Sequence, residues 1–103
     1  MDLGFEQKNE KLSDNDLIRM MRVLITAENE AINLYTRLAD QVDKGIYRKN
    51  AKLVIDVLND VAKEEKRHVG EFQSVLFTLC PDEEKEYKKG KKEVDKIRIC
   101  VVT

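Results

Sequence analysis

Two long stretches of this chain carry apolar residues at alternating four- and three-residue intervals, and one short break containing Gly45 separates them. In the first stretch Leu17, Met21, Leu24, Ala31, Tyr35, Leu38 and Val42 keep the rhythm, with Ile18, Ile25, Ile32 and Ala39 as a flanking row. In the second, Ala51, Val54, Leu58, Val61, Phe72, Val75 and Leu79 do the same, accompanied by Ile55, Ala62, Val69 and Leu76. Such a stripe keeps one face of a helix turned to a neighbour along its whole length, so the pattern dictates two long amphipathic helices. Ser13, with Asp16 three residues on, forms a capping box that starts the first helix. Gly45 is placed to end it in the left-handed conformation. The second helix is expected from about Tyr47 or Arg48 to Leu79, where Cys80-Pro81 stops it. So short a connection forces the helices antiparallel, each roughly 45 Å long.

A lone helical hairpin in a chain of 103 residues buries little apolar surface, and a partner subunit is expected for that reason. Beyond Pro81, DEEKEYKKGKKEVDKIR begins acidic and ends basic, in line with the helix dipole, which predicts a short, mostly exposed third helix. Gly90 in its middle costs about 1 kcal/mol relative to alanine. The organisation is then an arm over residues 1–12, a helical domain over 13–96 and a β-branched tail over 97–103. Charged residues form 38% of the chain but nearly cancel, 19 basic against 20 acidic, so no electrostatic case exists for nucleic acid or an anionic membrane. With no apolar run near the ~20 residues of a bilayer span, and no basic-then-apolar start, a soluble intracellular protein is expected. Cys80 and Cys100 stand in unrelated contexts without a CxxC, which indicates structural thiols rather than a zinc site or a disulfide framework.

The chemistry lies where the apolar rhythm breaks. Glu28 occupies the seam slot between Leu24 and Ala31, and Glu65 and His68 occupy two successive slots between Val61 and Phe72. Residues three apart share a helix face, so a carboxylate oxygen of Glu65 and an imidazole nitrogen of His68 can reach one ion. Carboxylates among leucines and valines cost several kcal/mol, about that much each, unless a cation or hydrogen-bond partner compensates. No lysine or arginine lies in either seam, because Lys63, Lys66 and Arg67 fall on other faces. An oxygen-and-imidazole donor set without thiolate favours iron or manganese over structural zinc.

With the turn near Gly45, Glu28 faces the level of Ala62, within about one turn of Glu65. The three side chains can therefore converge. They are half of what a di-iron carboxylate bundle uses, namely a Glu from each of two helices and a Glu-x-x-His pair from each of the other two. A two-fold axis through the site would supply the remainder, making a four-helix bundle from two hairpins with two metals per dimer. Glu28 alone would be read as a polar residue that sets register, and His68 alone as an ordinary core or surface histidine. Their joint placement at one level argues for metal. Tyr35, two turns after Glu28, reads either as a core residue or as a phenol near the metals. Glu30, Glu64 and Glu71 read as solvated charges, and Gly70 beside His68 as a close-approach position or a tolerated defect.

The strings Glu28-x-x-Ala31-x-x-x-Tyr35 and Glu64-Glu65-x-x-His68 resemble the rubrerythrin and ferritin-like superfamily, and within it the encapsulated ferritins housed in encapsulin nanocompartments. The resemblance covers about residues 14–95. It implies an all-α fold, a two-helix hairpin with a short third helix that dimerises into a ferritin-like four-helix bundle. It further implies a ferroxidase that oxidises Fe(II) with dioxygen at a di-iron centre shared between subunits, with the mineral kept inside an encapsulin shell. Glu28, Glu65 and His68 match the family's metal ligands, and Tyr35 matches a tyrosine near its centre. The resemblance also implies a ring-like oligomer of dimers, an encapsulin shell partner and a place in the shell's lumen. Of the additional carboxylates that guide iron inward in the family, only Glu30 matches, Ala27 standing at another such position. The C-terminus does not match the family's shell-docking peptides, which leaves continuation into shell protein or docking by the apolar tail. Two rival functions are a rubrerythrin-like peroxide-reducing protein, disfavoured by the lack of rubredoxin-type cysteine pairs, and a non-enzymatic helical adaptor.

Overall fold

A computed structural model describes residues 11–45 and 49–102. It contains three helices, α1 (Asp14–Lys44), α2 (Ala51–Leu79) and α3 (Pro81–Val102), with no strand among the described residues. The expected all-α class holds. The start of α1 is built as its sequence dictates. The Ser13 side chain accepts a hydrogen bond from the Asp16 amide at 3.1 Å, and the Asp16 carboxylate accepts one from the Ser13 amide at 3.3 Å.

The turn departs from expectation at both ends. Gly45 is extended, at φ −90° and ψ −173°, and not left-handed. Its backbone angles are open to any residue, so the need for glycine there is steric: an added Cβ would lie 2.9 Å from the carbonyl oxygen of Gln41. The left-handed residue is instead Asn50, at φ 61°, a conformation that asparagine tolerates better than most. That residue breaks the helical path, and α2 begins at Ala51 rather than at Tyr47 or Arg48, which lie outside the described residues.

The two helices pack along the flanking rows rather than along the seam itself. Among the described residues the buried apolar ones are Ala39, Ala62 and Leu76, and all three belong to those rows. Small alanines, Ala39 towards the turn and Ala62 at mid-height, let the backbones approach closely. Seam residues are left more open: Leu38 is 37% exposed, Val54 42% and Val75 46%. Each helix thus uses one edge of its apolar stripe inside the hairpin and keeps the other edge uncovered.

Proline at position 81 starts α3, where its missing N–H is no loss. Two contacts fasten this helix to the hairpin. The Arg22 guanidinium of α1 forms a bidentate ion pair with Glu83, donating from Nε to both carboxylate oxygens at 3.1 and 3.2 Å and from Nη2 to Oε1. Phe77 meets Tyr87 edge to face, with ring centroids 5.1 Å apart. Past Tyr87 the helix runs on into solvent and continues through residues 97–102, the stretch expected to be a tail. The principal extents, 56 × 50 × 18 Å, describe a flat L. The radius of gyration is 18.8 Å, where a compact chain of this length would have about 13 Å. No described helix is long and apolar enough to cross a membrane.

Candidate metal centre

Glu28 lies midway along α1, and Glu65 and His68 lie midway along α2. The antiparallel hairpin brings these points to one height. His68 Nδ1 sits 3.3 Å from Glu65 Oε2 on its own helix and 3.6 Å from Glu28 Oε2 across the hairpin. One ligand atom from each of the three residues lies within 4.8 Å of the others. Atoms bound to one ion at about 2.1 Å can be no more than roughly 4.2 Å apart, so the closer pairs already stand at ligand spacing and the cluster fits a metal with little adjustment.

The electrostatics point the same way. The Glu28 and Glu65 side chains are only 19% and 18% exposed, whereas His68 is 44% exposed. Among the described residues neither carboxylate pairs with a lysine or arginine; the imidazole is their shared neighbour. Lys63, Lys66 and Arg67 are exposed on other faces. Two partly desolvated carboxylates and a nitrogen lone pair make an acceptor-rich pocket that a divalent cation would neutralise.

The remaining expected residues are placed more loosely. Tyr35 is half-buried on the seam of α1, and its hydroxyl makes no hydrogen bond to Glu28, Glu65 or His68. Glu30, Glu64 and Glu71 are exposed, in keeping with solvated charges. Gly70 has open space where a Cβ would stand, so nothing within the chain requires glycine there. Sequence reasoning missed the Arg22–Glu83 pair that orients α3. Its partners lie far apart in the chain and on different helices, so no periodic or local signal marks them.

A two-helix hairpin with a Glu on one helix and a Glu-x-x-His pair on the next is half of a ferritin-like carboxylate bundle. No family model matches the chain. Individual relatives do. The chain is 37% identical over 90 residues to a ferritin-like-encapsulin shell fusion protein of Pyrococcus furiosus, an alignment that takes in 87% of this chain and 24% of that protein. It is 33% identical over 89 residues to the encapsulin nanocompartment cargo protein EncC of Myxococcus xanthus, covering 86% of this chain and 61% of the relative. The chain thus spans about a quarter of the first protein's length and less than two thirds of the second's. The crystal structure of the encapsulated ferritin domain from Pyrococcus furiosus superposes with a TM-score of 0.76 at 34% identity, over 93% of this chain and 91% of that one. The chain belongs to the encapsulated ferritin-like family.

Proposed function

We propose that this protein is a ferroxidase that oxidises Fe(II) to Fe(III) with dioxygen at a di-iron centre shared between two chains. The observation that carries the reading is the convergence of Glu28, Glu65 and His68 at ligand spacing on a face that is otherwise apolar and uncovered. One chain offers two carboxylates and one imidazole. Pairing two hairpins about a two-fold axis through the pocket doubles that set, and it covers the exposed edge of the seam at the same time.

In this reading the ferrous ions are substrate, and each residue has a distinct task. Glu28 and Glu65 would hold the cations and offset their positive charge. That favours the ferric product, whose higher charge gains more from anionic oxygen donors. His68 would offer a ring nitrogen to the ion, and Glu65 Oε2, 3.3 Å from Nδ1, would bind the same ion beside it. Tyr35, on the same seam, lies close enough in sequence register to serve as a phenol beside the centre. A pair of ferrous ions held together can pass two electrons to one dioxygen, which a solitary ion cannot.

The relatives supply the setting. One is named as fused to an encapsulin shell and another as encapsulin cargo, and we infer that this chain likewise works in the lumen of an encapsulin nanocompartment, where the ferric product is stored as mineral. Stopped-flow absorbance on mixing the Fe(II)-loaded protein with oxygenated buffer tests the activity. Oxidation much faster than in protein-free buffer is expected; a rate equal to that blank would leave a helical adaptor as the reading.

A further inference from the structure

The charges of the chain nearly cancel overall, but along α3 they are sorted by face. Lys85, Lys88, Lys89, Lys92 and Lys96 recur at three- and four-residue spacings, which at 3.6 residues per turn places them all within an arc of about 100°. The acidic residues of the same stretch, Glu86, Glu93 and Asp95, fall outside that arc. The lysines are exposed and follow one another over about 16 Å of helix axis. They lie opposite the apolar stripe of Tyr87, Val94, Ile97 and Val101, so burial of that stripe leaves them in water.

This face lacks counter-charge. Lys88 pairs with Glu84 at 3.0 Å and Lys89 with Glu86 at 3.2 Å, exposed contacts that contribute little and exchange readily. No ion pair among the described residues takes in Lys85, Lys92 or Lys96. Like charges three and four residues apart on a helix repel, so the row costs α3 stability that alternating signs would recover. An anion laid along the row removes that repulsion. Neighbouring lysines stand closer along the axis than the screening length of about 8 Å at physiological ionic strength, so they act on a polyanion together.

What the face lacks narrows the anion further. It is convex, with no second wall to enclose a single phosphate. It carries no aromatic or amide side chain on which bases could stack or be read. Glu86 and Glu93 border the apolar stripe, where they would meet anionic lipid if the helix lay on a membrane. A linear phosphate chain asks only for point charges in a row, and the lysine ammonium is one. We propose that the lysine face of α3 binds an inorganic polyphosphate chain. The binding does not depend on the metal centre; under the ferroxidase reading it would set an oxygen-rich ligand for ferric ion on the arm beside the hairpin.

Fluorescence anisotropy of an end-labelled polyphosphate chain, titrated with the full-length protein, tests the proposal. Wild type should bind, and binding should weaken steeply as salt rises, since each engaged lysine displaces a counter-ion. Combining Lys85→Gln, Lys92→Gln and Lys96→Gln should weaken binding about tenfold or more and flatten the salt dependence. Combining Lys52→Gln, Lys63→Gln and Lys66→Gln removes the same charge from exposed positions on α2 and should leave binding near wild type. Arginine in place of the same α3 lysines should also preserve binding, which separates loss of charge from loss of structure. His68→Ala should bind as wild type does although it loses iron oxidation, so the two readings fail separately. Single-stranded poly(U) and polyglutamate of matched charge should bind more weakly than polyphosphate. Wild-type binding by the α3 glutamine variant, equal weakening by the α2 variant, or tighter binding of poly(U) or polyglutamate would overturn the proposal.

Discussion

His68 Nδ1 on α2 lies 3.6 Å from Glu28 Oε2 on α1, so the cluster is closed by a contact across the hairpin and not by one helix alone. The imidazole is also its most exposed member, at 44%. Truncating it opens no cavity in a packed core. His68→Ala should therefore abolish rapid iron oxidation while helix content by circular dichroism and the thermal midpoint stay close to wild type, within about 1 kcal/mol of stability. Wild-type oxidation rates in this variant would remove His68 from the site.

Without metal, Glu28 and Glu65 hold two carboxylates and an imidazole within 4.8 Å of one another. Like charges at that spacing repel by about 1 kcal/mol in bulk water and by about 3 kcal/mol at the lower effective dielectric of a partly exposed site. Either Glu28→Gln or Glu65→Gln should raise the melting temperature of the metal-free protein and at the same time destroy metal binding. Calorimetry of chelator-treated samples checks this, and a lowered melting temperature in both variants would contradict a cluster built to hold a cation.

The hold on α3 should be acid-sensitive. The hydrogen bonds from Arg22 lower the Glu83 carboxyl below its ordinary 4.5. A depressed folded value means that the pair's contribution is fully present above that ordinary value and is lost as pH falls through the lowered one. The protection of the amides of residues 81–90, measured against their intrinsic exchange rate at each pH, should be high at neutral pH and fall on acidification in wild type. Glu83→Gln should exchange faster at neutral pH and respond less to acid. Equal exchange in both proteins at neutral pH would show that the pair does not secure the helix.

Gly45 and Gly90 should respond to alanine in opposite directions. At Gly45 the backbone is unstrained, but the new Cβ meets the Gln41 carbonyl at 2.9 Å, so Gly45→Ala should destabilise by about 1 kcal/mol. At Gly90 nothing lies within 4 Å, so Gly90→Ala should stabilise by up to about 1 kcal/mol through helix propensity. Denaturant midpoints measure both, and a shift of the same sign would contradict the steric argument at Gly45.

What was legible in the sequence follows from the range of each interaction. The Ser13 and Asp16 cap closes over one helical turn, so its residues specify it alone. Glu28, Glu65 and His68 could be placed at one height because a helix has a fixed rise and the turn fixes the register. The choice between rows was not legible: seam and flanking row are both apolar, and the alanines at 39 and 62 decide which edge closes inside the hairpin. Gly45 misled because a glycine after a helix is compatible both with a left-handed cap and with close approach to a carbonyl. The length of α3 was obscured by Ile97, Ile99, Val101 and Val102, whose β-branches argue for strand, although with no strand among the described residues to pair with they continue the helix.

The central claim is that the metal centre is incomplete in one chain. Native mass spectrometry through an anaerobic Fe(II) titration tests it most directly, because stoichiometry and assembly are read from the same ions. A site shared across a two-fold axis binds metal only when paired, so iron should shift the population from monomer to dimer or larger assemblies by mass action. Two irons should enter together for each pair of chains, with singly loaded monomer scarce at every concentration. A monomer that takes up one iron and oxidises it on aeration as fast as the assembled protein would contradict the account.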